Sequence, residues 1–188
     1  MTTNLRTEQG IVRVPTGTWR IDPIHSSVSF EVKHMMISTV RGHFKQFEGM
    51  LEAAEDYHDS RVWGSVQIAS LDTNNADRDE HLLSPDFFDA EHFPEMRFES
   101  TAVEHIVLGT YRVSGDLTIK DITREIQVEA TVEGAAVDPW GKDRVGIAVR
   151  GGIDRTEFGL TWQQALTKGG LLVGEQVALR LDISAVRA

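Results

Sequence analysis

The stretch YRVSGDLTIKDITREIQVEATVE, residues 111–133, alternates apolar and polar side chains almost without interruption. Tyr111, Val113, Gly115, Leu117 and Ile119 fall on one side, and Arg112, Ser114, Asp116, Thr118 and Lys120 on the other. After Asp121-Ile122-Thr123 the alternation resumes, with Ile126, Val128, Ala130 and Val132 set against Gln127, Glu129, Thr131 and Glu133. A period of two places every second side chain on one face of a pleated strand, so each run predicts a strand with one buried and one wet face. Two such runs around a short polar break predict an antiparallel pair.

The same period extends in both directions. Val28, Phe30 and Val32 alternate with Ser29, Glu31 and Lys33, and Val62, Gly64, Val66 and Ile68 with Trp63, Ser65 and Gln67. Further runs begin at Met96, Phe98 and Ser100, include Val145, Ile147 and Val149, and close the chain with Val177, Leu179, Leu181, Ile183 and Ala185. Asp22-Pro23, Gly109, Asp138-Pro139-Trp140-Gly141 and Gly151-Gly152 punctuate them as turns. The segment from His34 to Thr39 breaks the period and predicts a short helical turn. Between Phe44 and Phe47 the alternation slips by one, which predicts a bulge in a single strand. Eight or more strands without a helical repeat give an all-β meander, either closed into a barrel or folded as a sandwich. The pattern does not separate the two, but an eight-stranded barrel is wide enough to enclose one ligand.

One stretch departs from the period: SLDTNNADRDEHLLSPDFF, residues 70–88. Asn74 or Asn75 is a suitable N-cap, Asp77, Asp79 and Glu80 suit the first turns of a helix, and Ser84-Pro85 ends it. A short helical insertion with an apolar end of Leu82, Leu83, Phe87 and Phe88 is expected. Arg78, Asp79, Glu80 and His81 have the chemistry of an acid/base cluster. The simpler reading has the acids serving the helix dipole while Arg78 pairs with a carboxylate, and it is preferred.

Composition narrows the function. The chain has 188 residues, 40% of them hydrophobic, and no linker divides it, so residues 18–188 read as one domain behind a flexible lead-in, 1–17. A net charge of −10 opposes binding to nucleic acid or to anionic membranes. With no cysteine there is no disulfide or thiolate nucleophile. The seven histidines lack the short spacings of a metal motif, and His58 and His105 read as exposed. No nucleophile elbow, P-loop or dinucleotide fingerprint occurs, and neither metal nor cofactor is expected. No secretory apolar core and no membrane-spanning run is present, so a cytoplasmic location is expected.

Four blocks, TWRIDPIHSSVSFEVKHMMISTVRGHFKQFEG, SLDTNNADRDEHLLSPDFFDAEHFP, YRVSGDLTI and DRTEFGL, occur in an order that resembles the YceI-like family of bacterial polyisoprenoid-binding proteins. The resemblance runs from about Thr18 to the C-terminus. It implies an extended antiparallel eight-stranded lipocalin-like β-barrel that binds, stores or transports a long-chain isoprenoid or quinone-like lipid without enzymatic turnover, and a homodimer. The family pattern covers Asp22, His25, His34, Arg41, Arg78, Asp79, His81, Arg155 and Trp162, among others. After Ile119 the family usually shows a His-Gly turn, where this chain has Lys120-Asp121. The expected cavity wall comprises Phe30, Val32, Phe44, Leu82, Phe87, Phe88, Phe98, Leu117, Phe158 and Trp162. The expected polar contacts to a head group are His25, His34, Arg41, Arg78, Asp79, His81 and Arg155. At ~0.8 kcal/mol per buried CH₂, enclosing about twenty carbons offers ~16 kcal/mol before ordering costs, near the practical ceiling of non-covalent affinity. The competing reading is an enzyme using His25, His34, Asp79 or His81 as acid and base.

Overall fold

A computed structural model describes residues 6–8, 11–167 and 169–188. Strands β1 (Arg6–Glu8) and β2 (Ile11–Arg13) form a small hairpin. They are followed by β3 (Gly17–Ile21), β4 (Ser27–His34), β5 (Ser38–Phe44), β6 (Phe47–Ala53), β7 (Arg61–Gln67) and β8 (Leu71–Asp72). The helix α1 (Ala76–Leu83) comes next, then β9 (Glu95–Val107), β10 (Thr110–Ile119), β11 (Ile122–Val137), β12 (Asp143–Asp154) and β13 (Val173–Arg187). The expected lead-in over 1–17 lies partly outside the described residues. Of its described part, Pro15 is buried and its carbonyl accepts a hydrogen bond from Trp19 Nε1 at 2.9 Å.

Pairing settles barrel against sandwich. β9 to β13 pair in sequence order, β7 pairs with β9, and β6 lies between β7 and β3. The ring closes through β13, which pairs with β12 over residues 176–186 and, on its other edge, with both β3 and β4. β3 with β4, β5 with β6, and β7 with β8 act as three interrupted staves, and β9 to β13 supply the other five of an eight-stranded antiparallel barrel. Closure leaves no long free edge on this ring.

The interrupted staves account for two departures from the sequence pattern. The slip between Phe44 and Phe47 is a break within one stave, where the pairing partners change, rather than a bulge in a continuous strand. β5 pairs with β4 and β8, whereas β6 pairs with β3 and β7, and the break is tied by Lys45 N–H to the Ser70 carbonyl (3.1 Å) and Gln67 N–H to the Gln46 carbonyl (2.9 Å). Similarly, residues 22–26 bulge away between β3 and β4. The Asp22 carboxylate holds this loop, accepting from Arg144 at 2.6 Å and from the Ile24 N–H at 3.0 Å and lying 2.8 Å from His25 Nδ1.

The expected helical turn at His34 to Thr39 is instead a tight hairpin. Met35 and Met36 take φ of 52° and 62°, and Ile37 N–H donates to the His34 carbonyl at 3.2 Å. Two consecutive left-handed residues match the twist of the flanking strands, which a helical turn does not. At the Lys120-Asp121 turn, Lys120 adopts φ 59° and Ile119 pairs directly with Ile122, so the hairpin turns one residue earlier than the break suggested.

The apolar face of each alternating run points into the barrel. Trp19, fully buried, packs with Ala53, Val145 and Ala185 toward one end, and Phe87, Leu117, Ile119, Ile153, Phe158 and Leu160 form a cluster toward the other. Some inward positions are glycine because a neighbouring side chain lies across them. A Cβ on Gly115 would strike the Phe98 ring and stand 2.6 Å from the Glu99 carbonyl oxygen, and one on Gly42 would stand 2.6 Å from Phe30 Cε1.

Candidate functional site

The barrel encloses a cavity of about 370 Å³ that runs from Leu82, Phe87, Phe88 and Arg155 at one end to Arg13, Tyr57, Ser60 and Tyr111 at the other. We call these the helix end and the hairpin end. Between them the wall is almost wholly apolar, because the staves deliver every second residue inward: Val28, Phe30 and Val32 from β4, Ile126, Val128, Ala130 and Val132 from β11, and Val177, Leu179, Leu181 and Ile183 from β13. Such a volume falls within the range of small-molecule sites.

The helix end is closed by α1 and the segment after it. Asn75 caps the helix by accepting from the Arg78 N–H at 2.9 Å. Thr73, buried, is the hub beneath it. Its Oγ1 donates to Asp79 at 2.6 Å and accepts from Arg78 Nε at 2.7 Å, while its carbonyl accepts from Arg78 Nη2 at 2.6 Å. Arg78 thus binds Thr73 where a carboxylate partner was expected. This seats the helix so that Leu82, Phe87 and Phe88 face the cavity, with Phe88 edge-on to Phe44 at 6.2 Å. His81 lies edge-on to Trp162 and Phe87 at 4.7 and 5.1 Å, and its Nε2 is 2.9 Å from the Asp86 carboxylate.

Among the described residues, Arg155 is the one cation buried in this end. Its Nε donates to the Gly174 carbonyl at 2.9 Å, Nη1 to those of Leu160 and Trp162, and Nη2 to that of Val173 at 3.3 Å. Burial pushes the guanidinium below its usual value, an effect partly offset by the charges of Glu175 and Asp154. The contacts fasten the 3₁₀ turn Arg155–Phe158 and the loop after it to the start of β13.

The polar candidates read from the sequence do not converge. Arg155 alone among them reaches the cavity wall. His25 is exposed beside Asp22, whose carboxyl is held far below the usual carboxylate range mainly by Arg144. Arg41 pairs with Glu31 on the outer wall at 3.0 Å, and His34 sits at the hairpin turn. Arg78, Asp79 and His81 serve the seat of α1. The apolar candidates fare differently. Phe30, Val32, Phe44, Leu82, Phe87, Phe88, Phe98 and Leu117 all line the cavity, whereas Phe158 is fully buried outside the lining and Trp162 packs on His81 and Phe87. Among the described residues no three His, Cys, Asp or Glu side chains gather as a metal site, and no helix is long and apolar enough to cross a membrane.

The YceI-like domain model matches residues 19–185, the barrel from β3 through most of β13. The chain belongs to the YceI-like family. It is 37% identical over 158 residues to a UPF0312 protein of Staphylococcus aureus (strain bovine RF122 / ET3-1), covering 83% of this chain and 90% of that one. The YCEI protein of Campylobacter jejuni superposes with a TM-score of 0.71 at 28% identity, covering 83% of this chain and 90% of that one. A polyisoprenoid binding domain from Saccharophagus degradans, implicated in plant cell wall breakdown, shares the fold with a TM-score of 0.67 at 11% identity, covering 90% and 98%.

In this YceI-like barrel, sequence reasoning missed the hairpin end of the cavity. Tyr57 lies in an acidic segment that reads as a surface turn, yet it folds into a 3₁₀ turn, Tyr57–Asp59, and lines the cavity. His105 read as exposed, but its Nε2 is shut off from solvent. The pairing of His105 with Tyr111 across β9 and β10 brings the two rings to 5.5 Å, and a register shift beside Tyr111 breaks the simple alternation that would have located them.

Proposed function

We propose that this protein is a non-enzymatic carrier that binds, stores or transports a long-chain isoprenoid, a polyprenyl or quinone-like lipid, in the barrel interior. The observation that carries this reading is the wall of the cavity: apolar side chains from every stave, continuous between two polar ends. A flexible branched hydrocarbon asks for such a lining and little else, since its binding scales with buried apolar area. The Saccharophagus degradans domain of the same fold, described as polyisoprenoid-binding, supports it. The titratable side chains that an acid/base enzyme would need are spread over the outer wall and the helix seat, which favours a carrier over catalysis.

The test is thermal unfolding of lipid-stripped protein titrated with a polyprenol. A ligand that binds only the folded state at a hundredfold its Kd stabilises it by about 2.7 kcal/mol. A rising Tm is expected, and a Tm indifferent to polyprenol overturns the reading.

A further inference from the structure

At the helix end the rim of the barrel carries two tips that expose apolar side chains. The turn between β4 and β5 leaves Met36 62% and Ile37 81% exposed, with Met35 at 38%. Beside it the loop leading into β13 folds back on itself, Ala165 bridging to Leu171, and leaves Leu171 36% exposed. The Met35 N–H donates to the Leu172 carbonyl at 2.8 Å, which holds the two tips side by side. They stand directly above the cavity wall: Val32 and Val173 both line it, and Val173 pairs with His34, the last residue of β4.

The fold does not ask for these residues at this turn. Met35 and Met36 take φ of 52° and 62°, a conformation that favours Asn and Gly. A methionine there costs conformational energy, and Met36 and Ile37 belong to none of the core clusters. Beyond β4, β5 pairs with a further strand only at His43 and Phe44, so among the described residues the outer half of this ribbon is held by β4 alone. A strained turn that presents apolar side chains to water points to an apolar phase that receives them.

We propose that the two tips dock the protein on the surface of a zwitterionic phospholipid bilayer, with Met35, Met36, Ile37 and Leu171 entering the boundary between head groups and acyl chains. This goes beyond the carrier reading and gives it a place where cargo passes between barrel and membrane. The charge of the chain selects the surface. At a net charge of −10 the molecule is repelled by an anionic membrane. Residues 32–40 and 159–174 nevertheless contain no Asp or Glu, and Glu31, the nearest acid on β4, is paired with Arg41 and Arg180. The tips therefore meet zwitterionic head groups without local repulsion, and Lys33 at the base of the turn suits the head-group level, where a long side chain keeps its charge in water. A second copy of the chain fits less well. A standard protein interface takes about 20–30 residues from each side, and two narrow turns supply far fewer.

The test is flotation of the full chain with phosphatidylcholine vesicles, without added polyprenol. The wild-type chain is expected to float with them, and to float less with vesicles containing phosphatidylglycerol at low salt. Met35→Asn combined with Met36→Gly gives the turn the residues its backbone favours. This double variant is expected to melt at a higher temperature than wild type while binding phosphatidylcholine vesicles about tenfold more weakly, the loss for a large apolar side chain no longer buried. A merely structural role for the methionines would lower both readouts together. Ile37→Trp should add fluorescence that shifts to the blue on the vesicles and is quenched by brominated acyl chains. Leu108→Ser, at the opposite end of the barrel and 75% exposed in the native chain, should bind as wild type. A wild-type chain that does not float, or that floats no better than the double variant, overturns the proposal. So does a concentration-dependent dimer that the double variant abolishes, which would assign the tips to a second copy. Either failure leaves the carrier reading standing if polyprenol still raises the Tm, whereas a Tm indifferent to polyprenol with flotation intact removes the carrier reading and leaves the docking.

Discussion

Replacing Arg155 by methionine keeps much of the side chain's length and removes its donors. In the native chain the guanidinium makes four hydrogen bonds to the carbonyls of Gly174, Leu160, Trp162 and Val173. The Val173 carbonyl retains a second donor, Gln163 Nε2 at 2.7 Å, so three carbonyls lose a partner without such a substitute. At ~1–1.5 kcal/mol net per bond, the loss is roughly 3–5 kcal/mol. Recovery of the desolvation penalty of a buried cation offsets part of it, leaving about 3 kcal/mol, a large share of the ~5–15 kcal/mol of an ordinary domain. Urea unfolding reads this directly: with a slope of ~1–3 kcal/mol per molar, the midpoint should fall by about 1–3 M without a change in slope. Hydrogen exchange should quicken first between residues 160 and 174, where the bonds are lost. Arg155→Lys should restore less than half of the stability, because one ammonium cannot span carbonyls placed around a planar fork. A loss below about 1 kcal/mol in Arg155→Met would refute the idea that this arginine fastens the barrel end, and would return it to the candidates for meeting a ligand.

Three further perturbations follow from the same geometry. Gly115→Ala should cost ~1–3 kcal/mol through overpacking against Phe98 and the Glu99 carbonyl, whereas Gly134→Ala, with open space around the added Cβ, should lie near the wild type in the same urea series. Thr73→Val removes the hub of the helix seat without changing its shape. It should cost roughly 2–3 kcal/mol and open the 73–94 segment to limited proteolysis, and unchanged protection would speak against this seat. Asp22 has a folded-state pKa depressed below its unfolded value, so its contribution is complete above about pH 4 and is lost as the pH falls through the folded value. The stability gap between wild type and Asp22→Asn should therefore be widest near neutrality and narrow below pH 4. A gap constant from pH 7 to pH 2.5 would contradict the Asp22 to Arg144 link.

How far the sequence carried this reading depends on the kind of physics at each place. The alternation in residues 111–133 identified both strands and the inward face, because a period of two is local and survives any tertiary arrangement. A cap at Asn74 or Asn75, which the structure resolves to Asn75, and the stop at Ser84 were legible for the same reason. Closure was not, since it depends on β13 meeting β12 on one edge and, on the other, β3 and β4, whose residues lie more than a hundred positions from their partners in β13. The Phe44 to Phe47 slip was visible, but not its cause, a switch of pairing partner. Apolar wall residues such as Phe30, Val32 and Leu117 followed from alternation, whereas polar candidates such as His25 and Arg41 rested on the family pattern and their charge, neither of which says whether a side chain faces in or out. His105 and Tyr57 escaped because they are brought together by a register shift and a 3₁₀ turn.

The cavity itself is open to one decisive measurement. Protein purified under native conditions and extracted with organic solvent should yield, by mass spectrometry, a long-chain isoprenoid in near-stoichiometric amount, with masses stepping by isoprene units if the tail length varies. An extract empty of lipid, or one holding only straight-chain acyl lipids, would contradict the assignment of the barrel interior as an isoprenoid site.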